Sequence, residues 1–380
     1  FIPEDLAPKD ALFSSAVAMA IGLAAAPLAA ACRSPKSILR AEHVLVLSLI
    51  YFLLFDLLQS IYSVGDIPQD HVSSAFMSIG LFAVAVWVAV SQRPWNLPHI
   101  ILRSASQKLA SNTVFSLTVA AFILGMLNFA IATNFNVGDM IYYVGQGRWA
   151  APWGRGQLGG WDAFRNELQN FGYLLPTLTV FVAQRFGWAS SRTLLCGGMS
   201  MIMAVFLAQS GSRRIIGVMF CMAFMIWMLI QQRIQIRHML IGAVGGVVLL
   251  VSLQVMLEYR KEGLATLVNS EENEPIFKRN YVHVDDNFYR LCQIIELIPE
   301  YHPYVYRQYV FWVLVRPIPR VFWPGKPMDP GFDLPSAVGM TGVSLSSSVV
   351  GELYMSAGFL GIALGGWFYG RLARMASQLL

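Results

Sequence analysis

The chain is poor in charge. Only 13% of its 380 residues are charged, whereas 56% are hydrophobic, and an ordinary soluble domain carries roughly 25% charged residues. The formal net charge of +5 is small and scattered along the sequence, which argues against a nucleic acid as partner. The composition excludes a water-soluble protein and indicates a polytopic membrane protein whose surroundings are the lipid bilayer.

Cysteines and the common catalytic motifs are also scarce. The sequence has no Asp-x-Asp pair, no His-Glu-x-x-His, no glycine-rich phosphate loop and no Gly-x-Ser-x-Gly. The few cysteines are too far apart for a disulfide framework or for the spacing of metal ligands; they are Cys32, Cys196, Cys221 and Cys292. We therefore expect neither a bound metal nor another cofactor.

What the sequence does contain is long apolar runs. Windows of about 18 to 22 apolar residues, the length that crosses a bilayer, recur along the whole chain. We expect an all-α fold, a polytopic bundle of transmembrane helices in which residues 1–380 form a single integral membrane domain. The predicted spans lie near 11–32, 43–64, 72–91, 112–133, 171–187, 190–209, 214–232, 238–257 and 351–370.

The basic residues of the short loops predict an orientation. They follow the first, third, fifth, seventh and ninth spans, and by the positive-inside rule this side is the cytoplasm. The N-terminus then lies outside, and because no signal peptide is evident we expect a further span before residue 1; Leu380 likewise resembles an interior position. The residues that set the orientation are Arg33, Lys36, Arg40, Arg93, Arg103, Lys108, Arg185, Arg192, Arg233, Arg237, Arg371 and Arg374.

Two long loops are predicted on the external side. The first, 134–170, is rich in glycine and contains Trp149, Trp153 and Trp161. Tryptophans of this kind form interfacial belts at membrane surfaces, and the alternative is that their rings stack on sugars in a glycan groove.

The second external loop, 258–350, contains two short apolar pieces. Asn287 to Pro299 has the spacing of an amphipathic helix, which indicates a segment lying on the membrane surface. Tyr304 to Val315 is aromatic and apolar but too short to span, which fits an interfacial or re-entrant helix. This loop is expected to carry part of the active site.

Two groups of cations occur on the predicted external side. Arg213 and Arg214 follow a glycine turn between the sixth and seventh spans, where the positive-inside rule predicts few cations. Arg316, Arg320 and Lys326 are separated by prolines that fix their spacing. Guanidinium forks bind phosphate in a bidentate manner, so both groups are candidates for anion binding, and the alternative is contact with lipid headgroups or structural ion pairs.

A carboxylate opens the last predicted span. Glu352 lies at the edge of an apolar helix, where a charge is costly unless it is paired or functional. It is a candidate general base for an acceptor hydroxyl, and the alternative is a salt bridge to one of the arginines. Tyr354 and His302 are candidate hydrogen-bond partners for a glycan, and Arg290 is a further candidate cation.

These residues resemble a known family. The pattern Ile318-Pro319-Arg320-x-x-Trp323-Pro324-x-Lys326-Pro327, followed by Ser346 to Ser348 and Gly351-Glu352-x-Tyr354-x-x-x-Gly358-x-x-Gly361, is similar to the C-terminal part of Wzy-type O-antigen polymerases and related oligosaccharide repeat-unit polymerases. The turn at Arg213 and the stretch before Arg290 also resemble that family. The likeness covers about 210–365, and the N-terminal half is similar only in its apolar spans.

The resemblance implies a polytopic, GT-C-like glycosyltransferase of the bacterial inner membrane. Such an enzyme moves a growing glycan from undecaprenyl diphosphate to a new lipid-linked repeat unit on the periplasmic face, with inversion at the anomeric carbon, to build O-antigen or a related surface polysaccharide. A chain-length regulator protein is a further candidate partner. Arg213, Arg316 and Arg320 would hold the leaving diphosphate with help from Lys326, and Glu352 would act as base.

Two alternatives stay open. An O-antigen ligase, which belongs to the same wider superfamily, would transfer the same donor to a lipid A core sugar. A flippase for lipid-linked sugars would move the substrate without changing it. Transporters often have broken helices and charged residues at mid-membrane in both halves, whereas here the cations gather on one face and no inverted repeat is visible in the sequence.

Overall fold

The all-α prediction is confirmed. The structure is a computed structural model that describes residues 8–60, 67–96, 109–153, 161–231, 233–263, 265–266, 281–282, 284, 286–340 and 345–379, and its regular elements there are all helical. The α-helices are α1 (Pro8–Arg33), α2 (Ala41–Leu49), α3 (Gln69–Ser91), α4 (Ser111–Ala132), α5 (Val137–Val144), α6 (Trp161–Asn166), α7 (Leu175–Phe186), α8 (Ser191–Gln209), α9 (Arg213–Ile230), α10 (Ile236–Glu258), α11 (Asn287–Leu297), α12 (Tyr306–Val315), α13 (Leu334–Ala337) and α14 (Ser348–Ala376).

The multi-pass character of the chain is confirmed as well. Within the described residues, 7 helices are long and apolar enough to cross a membrane: α1 from Leu12 onwards, α3, α4, α8, α9, α10 and α14. They coincide with all the predicted spans except the second and the fifth.

The second predicted span, 43–64, is wrong as a single helix. α2 ends at Leu49, a π-helical turn follows over Ile50–Leu54, and a 3₁₀ turn covers Leu57–Gln59. Changes of helix type release backbone groups that a regular helix would use itself. Residues 61–64 of the prediction lie outside the described part of the chain.

Side-chain and backbone groups of this irregular segment bind a part of the chain that is distant in sequence. The side chain of Gln59 forms two hydrogen bonds with the backbone of Val282, donating to its carbonyl at 2.8 Å and accepting from its N–H at 3.0 Å. Asn287 donates from Nδ2 to the carbonyl of Phe52, in the π turn, at 3.1 Å. The irregular geometry of this predicted span is therefore explained by hydrogen-bond partners more than 200 positions away, and a local sequence pattern cannot predict such contacts.

The fifth predicted span, 171–187, is not a single α-helix. Its α-helix, α7, has 12 residues, or about 18 Å at 1.5 Å per residue, and a 3₁₀ helix over Glu167–Leu174 leads directly into it. α7 alone is shorter than the apolar core of a bilayer, about 30 Å. Pro176 lies in the first turn of α7, where a missing N–H is tolerated, so it starts a helix rather than interrupting one.

The chain forms two compact units, which are described separately. Unit 1 consists of Phe1–Arg103, Tyr281–Pro317 and Lys326–Leu380, and unit 2 consists of Ser104–Asn280 and Ile318–Gly325. The predicted single domain is thus built from two bodies. The predicted loop 134–170 begins just after α4 and includes 154–160, which lie outside the described residues; the loop 258–350 begins where α10 ends and includes 267–280, which also lie outside them.

Unit 1 is centred on the packing of α3 against α14. A Cβ atom added at Gly366 would lie 2.9 Å from the carbonyl oxygen of Phe82, and one added at Gly370 would lie 2.6 Å from that of Val86. Small residues let two apolar helices approach closely, and this contact supplies the association that hydrophobicity alone does not provide within a membrane.

The amphipathic helix predicted after Asn287 exists as α11, but its apolar face covers protein. Phe288 and Leu291 are buried in the core of unit 1, together with the Cys292 side chain. The Phe288 ring lies 4.8 Å from that of Phe76 on α3. The predicted position of this helix on the membrane surface is wrong for the apolar face, because α3 and α14 supply the apolar surface that it needs.

α14 contains a break. Ala357 and Gly358 have non-helical backbone angles, and Gly358 has φ 62° and ψ −143°. The break releases the carbonyl of Met355, which accepts a hydrogen bond from the N–H of Val305 at 3.0 Å. The segment leading into α12 is thereby attached to the half of α14 that carries Glu352.

Unit 2 packs α4 and α7 to α10 around an aromatic core. The Trp153 ring contacts Phe129 and Phe206 with centroid distances of 5.3 Å and 5.9 Å. Trp153 comes from the predicted loop 134–170, so the loop contributes this side chain to the core.

Candidate functional site

Unit 2 contains a polar cavity of about 230 Å³, which we call the arginine cavity. It lies where α8 ends and α9 begins. Its polar lining includes two guanidinium groups, an indole and three side-chain amides, from Arg148, Arg214, Trp149, Asn166, Gln169 and Gln209. Cations, an aromatic ring and amides in one concave surface are the groups that bind anionic or sugar ligands.

The turn between α8 and α9 positions Arg214. Gly211 has φ 65°, in the left-handed region, and a Cβ atom added there would lie 2.5 Å from Cγ of Arg260. The turn therefore requires glycine for its backbone and for the close approach of the Arg260 side chain. Because Arg213 is the first residue of α9, the free N–H groups of that helix start beside this arginine pair.

Gln209 joins the predicted loop to α8. Trp153 donates from Nε1 to Oε1 of Gln209 at 3.1 Å, and Gln209 donates from Nε2 to the carbonyl of Gly147 at 3.2 Å. The backbone N–H of Arg148 donates to the carbonyl of Arg260 at 3.0 Å. These bonds fix the backbone around Arg148, so the cavity wall is preorganised.

The three predicted tryptophans have different environments. Trp153 is 5% exposed and packs in the core, so it does not belong to an interfacial belt, although it also lines the arginine cavity. Trp149 is 73% exposed, and the Arg148 guanidinium lies over its ring at 4.8 Å. Trp161 is exposed as well and contacts the Phe164 ring. Trp149 is thus an exposed ring in the lining of the cavity.

A polar network continues behind the cavity wall. Asn128 of α4 is buried, and its Nδ2 donates to Oδ1 of Asn166 at 2.6 Å, while Arg165 Nε donates to Oδ1 of Asn128 at 3.1 Å. Burial raises the pKa of Tyr173; the charge of Glu167 raises it further, and Arg214 opposes both. The cavity therefore borders a region in which polar groups are held by defined partners.

The two remaining predicted cations of unit 2 are placed differently. Arg213 is partly buried, and the lining of the arginine cavity includes its neighbour Arg214 instead. Arg320 is also partly buried and lies in Ile318–Gly325, which is irregular, as the prolines predict. Its companions Arg316 and Lys326 belong to unit 1.

Unit 1 contains the predicted carboxylate. Tyr309 donates its hydroxyl hydrogen to Oε2 of Glu352 at 3.1 Å. Burial raises the pKa of Tyr309, the charge of Glu352 raises it further, and Arg316 opposes the shift. Arg316 lies over the Trp312 ring at 4.2 Å. We call Glu352, Tyr309, Trp312 and Arg316 the carboxylate cluster.

A salt bridge was the alternative for Glu352. In the described part of its unit, no cation lies within ion-pair distance of this carboxylate, and its hydrogen-bond donor is the neutral phenol of Tyr309. The side chain is partly exposed. Glu352 is thus held by one neutral donor and keeps access to a ligand, as a general base requires.

Two predicted cations of unit 1 have local partners. Lys326 donates from Nζ to the carbonyl of Arg316 at 2.8 Å, so its ammonium group closes the proline-rich loop. Arg290 lies 3.6 Å from Asp286 and donates to Gln293 at 2.7 Å. The charge of Arg290 is therefore already compensated on its own helix.

The two candidate glycan contacts of unit 1 have protein neighbours. Tyr354 is 5% exposed and packs edge-on against Phe359 and near Tyr304, so little of its side chain is open to a ligand. His302 is partly exposed, but its ring contacts Phe332 and its Nδ1 lies 2.7 Å from the carbonyl oxygen of Pro303. Its placement is fixed by this turn.

Sequence reasoning missed Arg148, Gln209 and Tyr309. Arg148 had a usable signal, because it is a cation in a predicted external loop and adjoins an exposed tryptophan, the same departure from the positive-inside rule that singled out Arg213. Gln209 and Tyr309 had none, since their roles depend on partners 43 to 62 positions away.

Comparisons with models of protein families, with curated proteins and with solved structures found no match to this chain. The arginine cavity and the carboxylate cluster are the features of the structure that bear on its function.

Proposed function

We propose that the chain is a membrane glycosyltransferase that polymerises undecaprenyl-diphosphate-linked oligosaccharide repeat units. The observation that carries the proposal is the arginine cavity. It combines Arg148 and Arg214 with the exposed ring of Trp149 at the end of apolar helices. A glycan attached to a membrane lipid through a diphosphate presents these same two features, a sugar face and two negative phosphates.

Each group in the cavity has a role in this reaction. The guanidinium groups of Arg148 and Arg214 bind phosphate oxygens and stabilise the negative charge that the leaving diphosphate acquires. The indole of Trp149 stacks on the apolar face of a sugar, and the amides of Asn166 and Gln169 bind its hydroxyls. Since Arg214 opens a long helix, the helix dipole adds to the positive field.

The reaction also requires a general base, and the carboxylate cluster of unit 1 contains the candidate, Glu352. The acceptor oxygen attacks the anomeric carbon, the bond from this carbon to the diphosphate breaks, and the base takes the proton of the acceptor hydroxyl. A direct attack of this kind inverts the configuration of the carbon. Tyr309 orients the carboxylate through its hydrogen bond and stays neutral because of its raised pKa. No step of this mechanism is assigned to a metal or another cofactor.

The family resemblance and the distribution of basic residues support the location. The basic residues predict that the cation groups lie on the external side of the membrane, and the resemblance implies the periplasmic face of a bacterial inner membrane. The product would be O-antigen or a related surface polysaccharide, and the enzyme would belong to the GT-C-like class.

The test uses purified protein in detergent with lipid-linked repeat units as the sole substrate and a chelator present. The products are separated on a gel. A ladder of glycan lengths supports the proposal, whereas an unchanged substrate band, from folded protein that binds the lipid, contradicts it. Added lipid A core separates the related ligase, which must use that acceptor.

The variants test the cavity. Arg214→Ala should lower the rate of elongation by about 10²- to 10³-fold, the effect of losing one donor to a developing negative charge. Arg214→Lys keeps the charge without the bidentate fork and should recover only part of the rate. Arg237→Ala is the matched control, because this exposed arginine opens a helix of the same unit outside the cavity. Equal loss in both alanine variants would remove the cavity from the mechanism.

A flippase is the second candidate, because the structure has two interrupted helical segments in unit 1, at Ile50–Leu54 and at Gly358. Interrupted helices are common in transporters. Movement of the lipid-linked repeat unit across a vesicle membrane, with no change in glycan length, would favour this candidate over the polymerase.

A further inference from the structure

Unit 2 contains a second, apolar cavity of about 520 Å³, which we call the apolar groove. α9 forms its floor through Phe220 and Phe224, and α8 and α10 form its walls. Its size lies within the range of sites that bind small molecules, about 300 to 1,000 Å³.

The wall formed by α10 is kept open by glycine. Cβ atoms added at Gly245 or Gly246 would meet nothing within 4 Å. Glycines in membrane helices usually permit close contact with a neighbouring helix, but no neighbour occupies this space in the described residues of the unit. Among the described residues of the unit, the glycines therefore leave this side of the groove open.

The groove changes from apolar to cationic at one end. Ala208 and Met256 line the groove and also line a narrow crevice that includes Arg260 and Gly211. Gln209 lines this crevice and also the arginine cavity. The three openings thus follow one another along unit 2, from hydrocarbon surface to guanidinium groups.

We propose that the apolar groove binds the polyisoprenyl chain of the lipid diphosphate, with the diphosphate directed toward Arg260 and the arginine cavity. The inference rests on the proposed function, which supplies the substrate class; the path of the chain comes from the shared lining residues. A lipid diphosphate is a long hydrocarbon chain followed by an anionic head, and the three openings change from apolar to cationic in the same order.

We expect the groove to determine where the lipid head lies along unit 2 more than it determines the total affinity for the lipid. Membrane lipid is as apolar as the groove, so moving a chain from one to the other gains little hydrophobic free energy. What the groove provides is shape: a chain that follows it brings its head to one end, beside the cations. We therefore expect the groove to favour long-chain diphosphates over short ones with the same head.

The test is a binding measurement on the full chain in nanodiscs with two sugar-free probes, undecaprenyl diphosphate and farnesyl diphosphate. Gly246→Leu adds a side chain to the groove lining at a position where a Cβ atom meets nothing within 4 Å, and leucine favours a helix over glycine. Gly198→Leu is the matched control: its Cβ also meets nothing within 4 Å, and it lies on α8 outside the groove lining. Gly245→Leu repeats the test if Gly246→Leu does not fold.

Wild-type protein should prefer the long chain, and Gly246→Leu should weaken its binding by at least about 10-fold, the size of effect that a changed apolar pocket gives. Farnesyl diphosphate binding should be unchanged in this variant, and Gly198→Leu should behave as wild type. Undecaprenyl diphosphate binding that is equal in wild type and in both groove variants overturns the inference, as does an equal loss in Gly198→Leu.

The binding assay involves no sugar transfer. If the protein discriminates between the probes but makes no ladder of glycans, the groove proposal is supported and the polymerase proposal is contradicted. If the protein makes a ladder but does not discriminate between the probes, the polymerase proposal is supported and the groove proposal is contradicted.

Discussion

The break in α14 allows a quantitative prediction for Gly358→Ala. The backbone of Gly358, at φ 62° and ψ −143°, lies close to a region that only glycine adopts readily, and a residue with a Cβ atom is strained there by about 1–3 kcal/mol. The added methyl would also lie 2.8 Å from the Tyr304 hydroxyl oxygen. Including about 1 kcal/mol for this overlap, we expect a destabilisation of about 2–4 kcal/mol.

The assay is thermal unfolding of the purified protein in one detergent. Gly22→Ala is the control, since this residue lies inside α1 of the same unit and its Cβ would meet nothing within 4 Å. The control should unfold at the wild-type temperature or above it, because alanine favours a helix by about 1 kcal/mol.

A double-mutant cycle with Tyr304→Phe separates the two parts of the cost. In the Tyr304→Phe background the overlap with the hydroxyl is absent, so Gly358→Ala should cost about 1 kcal/mol less than it does in the wild type. The remaining cost is the backbone strain at position 358. The reasoning is refuted if Gly358→Ala unfolds at the same temperature as Gly22→Ala, because α14 would then be able to accept a regular helical backbone at this position.

Three other predictions concern polar groups. Gln209→Leu leaves the Trp153 indole N–H and a loop carbonyl unsatisfied, so thermal unfolding should show a loss of about 1–3 kcal/mol for each group, while an unchanged stability would contradict the bridge. The raised pKa of Tyr309 contributes stability that is fully present below the unfolded value of 10.0 and is lost as the pH rises toward the higher folded value. Tyr309→Phe removes this titration, so the fall in unfolding temperature between about pH 9 and about pH 11 should be less steep than in wild type. An equally steep fall in the variant would contradict the prediction. Glu42→Gln removes the charge of a side chain that is 1% exposed, and unfolding should reveal a cost of about 3 kcal/mol, since it leaves its cation partner unpaired; a cost near zero would show that the pair is not formed.

The apolar helices were predictable because hydrophobicity is a property of local sequence. The windows 190–209 and 214–232 differ from α8 and α9 by two residues or fewer at each end. The window 43–64 failed although it is equally apolar, because Gln59 binds the backbone of Val282 and so favours an irregular turn over a continued helix. The contact that decides its geometry is remote in sequence.

The site was predictable only where a charge contradicts its surroundings. Arg214 and Glu352 could be selected because cations are rare in short external loops and carboxylates are rare in apolar helices. Trp149 and Trp153 could not be told apart, since they occur four positions apart in the same loop. Burial of Trp153 depends on Phe129 and on the rest of the aromatic core of unit 2, which folds from distant segments.

A comparison of two carboxylates in apolar helices of unit 1, Glu42 and Glu352, supports the choice of Glu352 as base. Glu42 of α2 is buried, lies 3.6 Å from the guanidinium of Arg374 and accepts a hydrogen bond from Ser377, so its charge is balanced and its oxygens are occupied. Glu352 is partly exposed and is held by the neutral hydroxyl of Tyr309, with no cation within ion-pair distance in the described part of its unit. Both oxygens of Glu42 are thus engaged by protein partners, whereas Glu352 keeps access to a hydroxyl, so the same side chain is structural at position 42 and suited to chemistry at position 352.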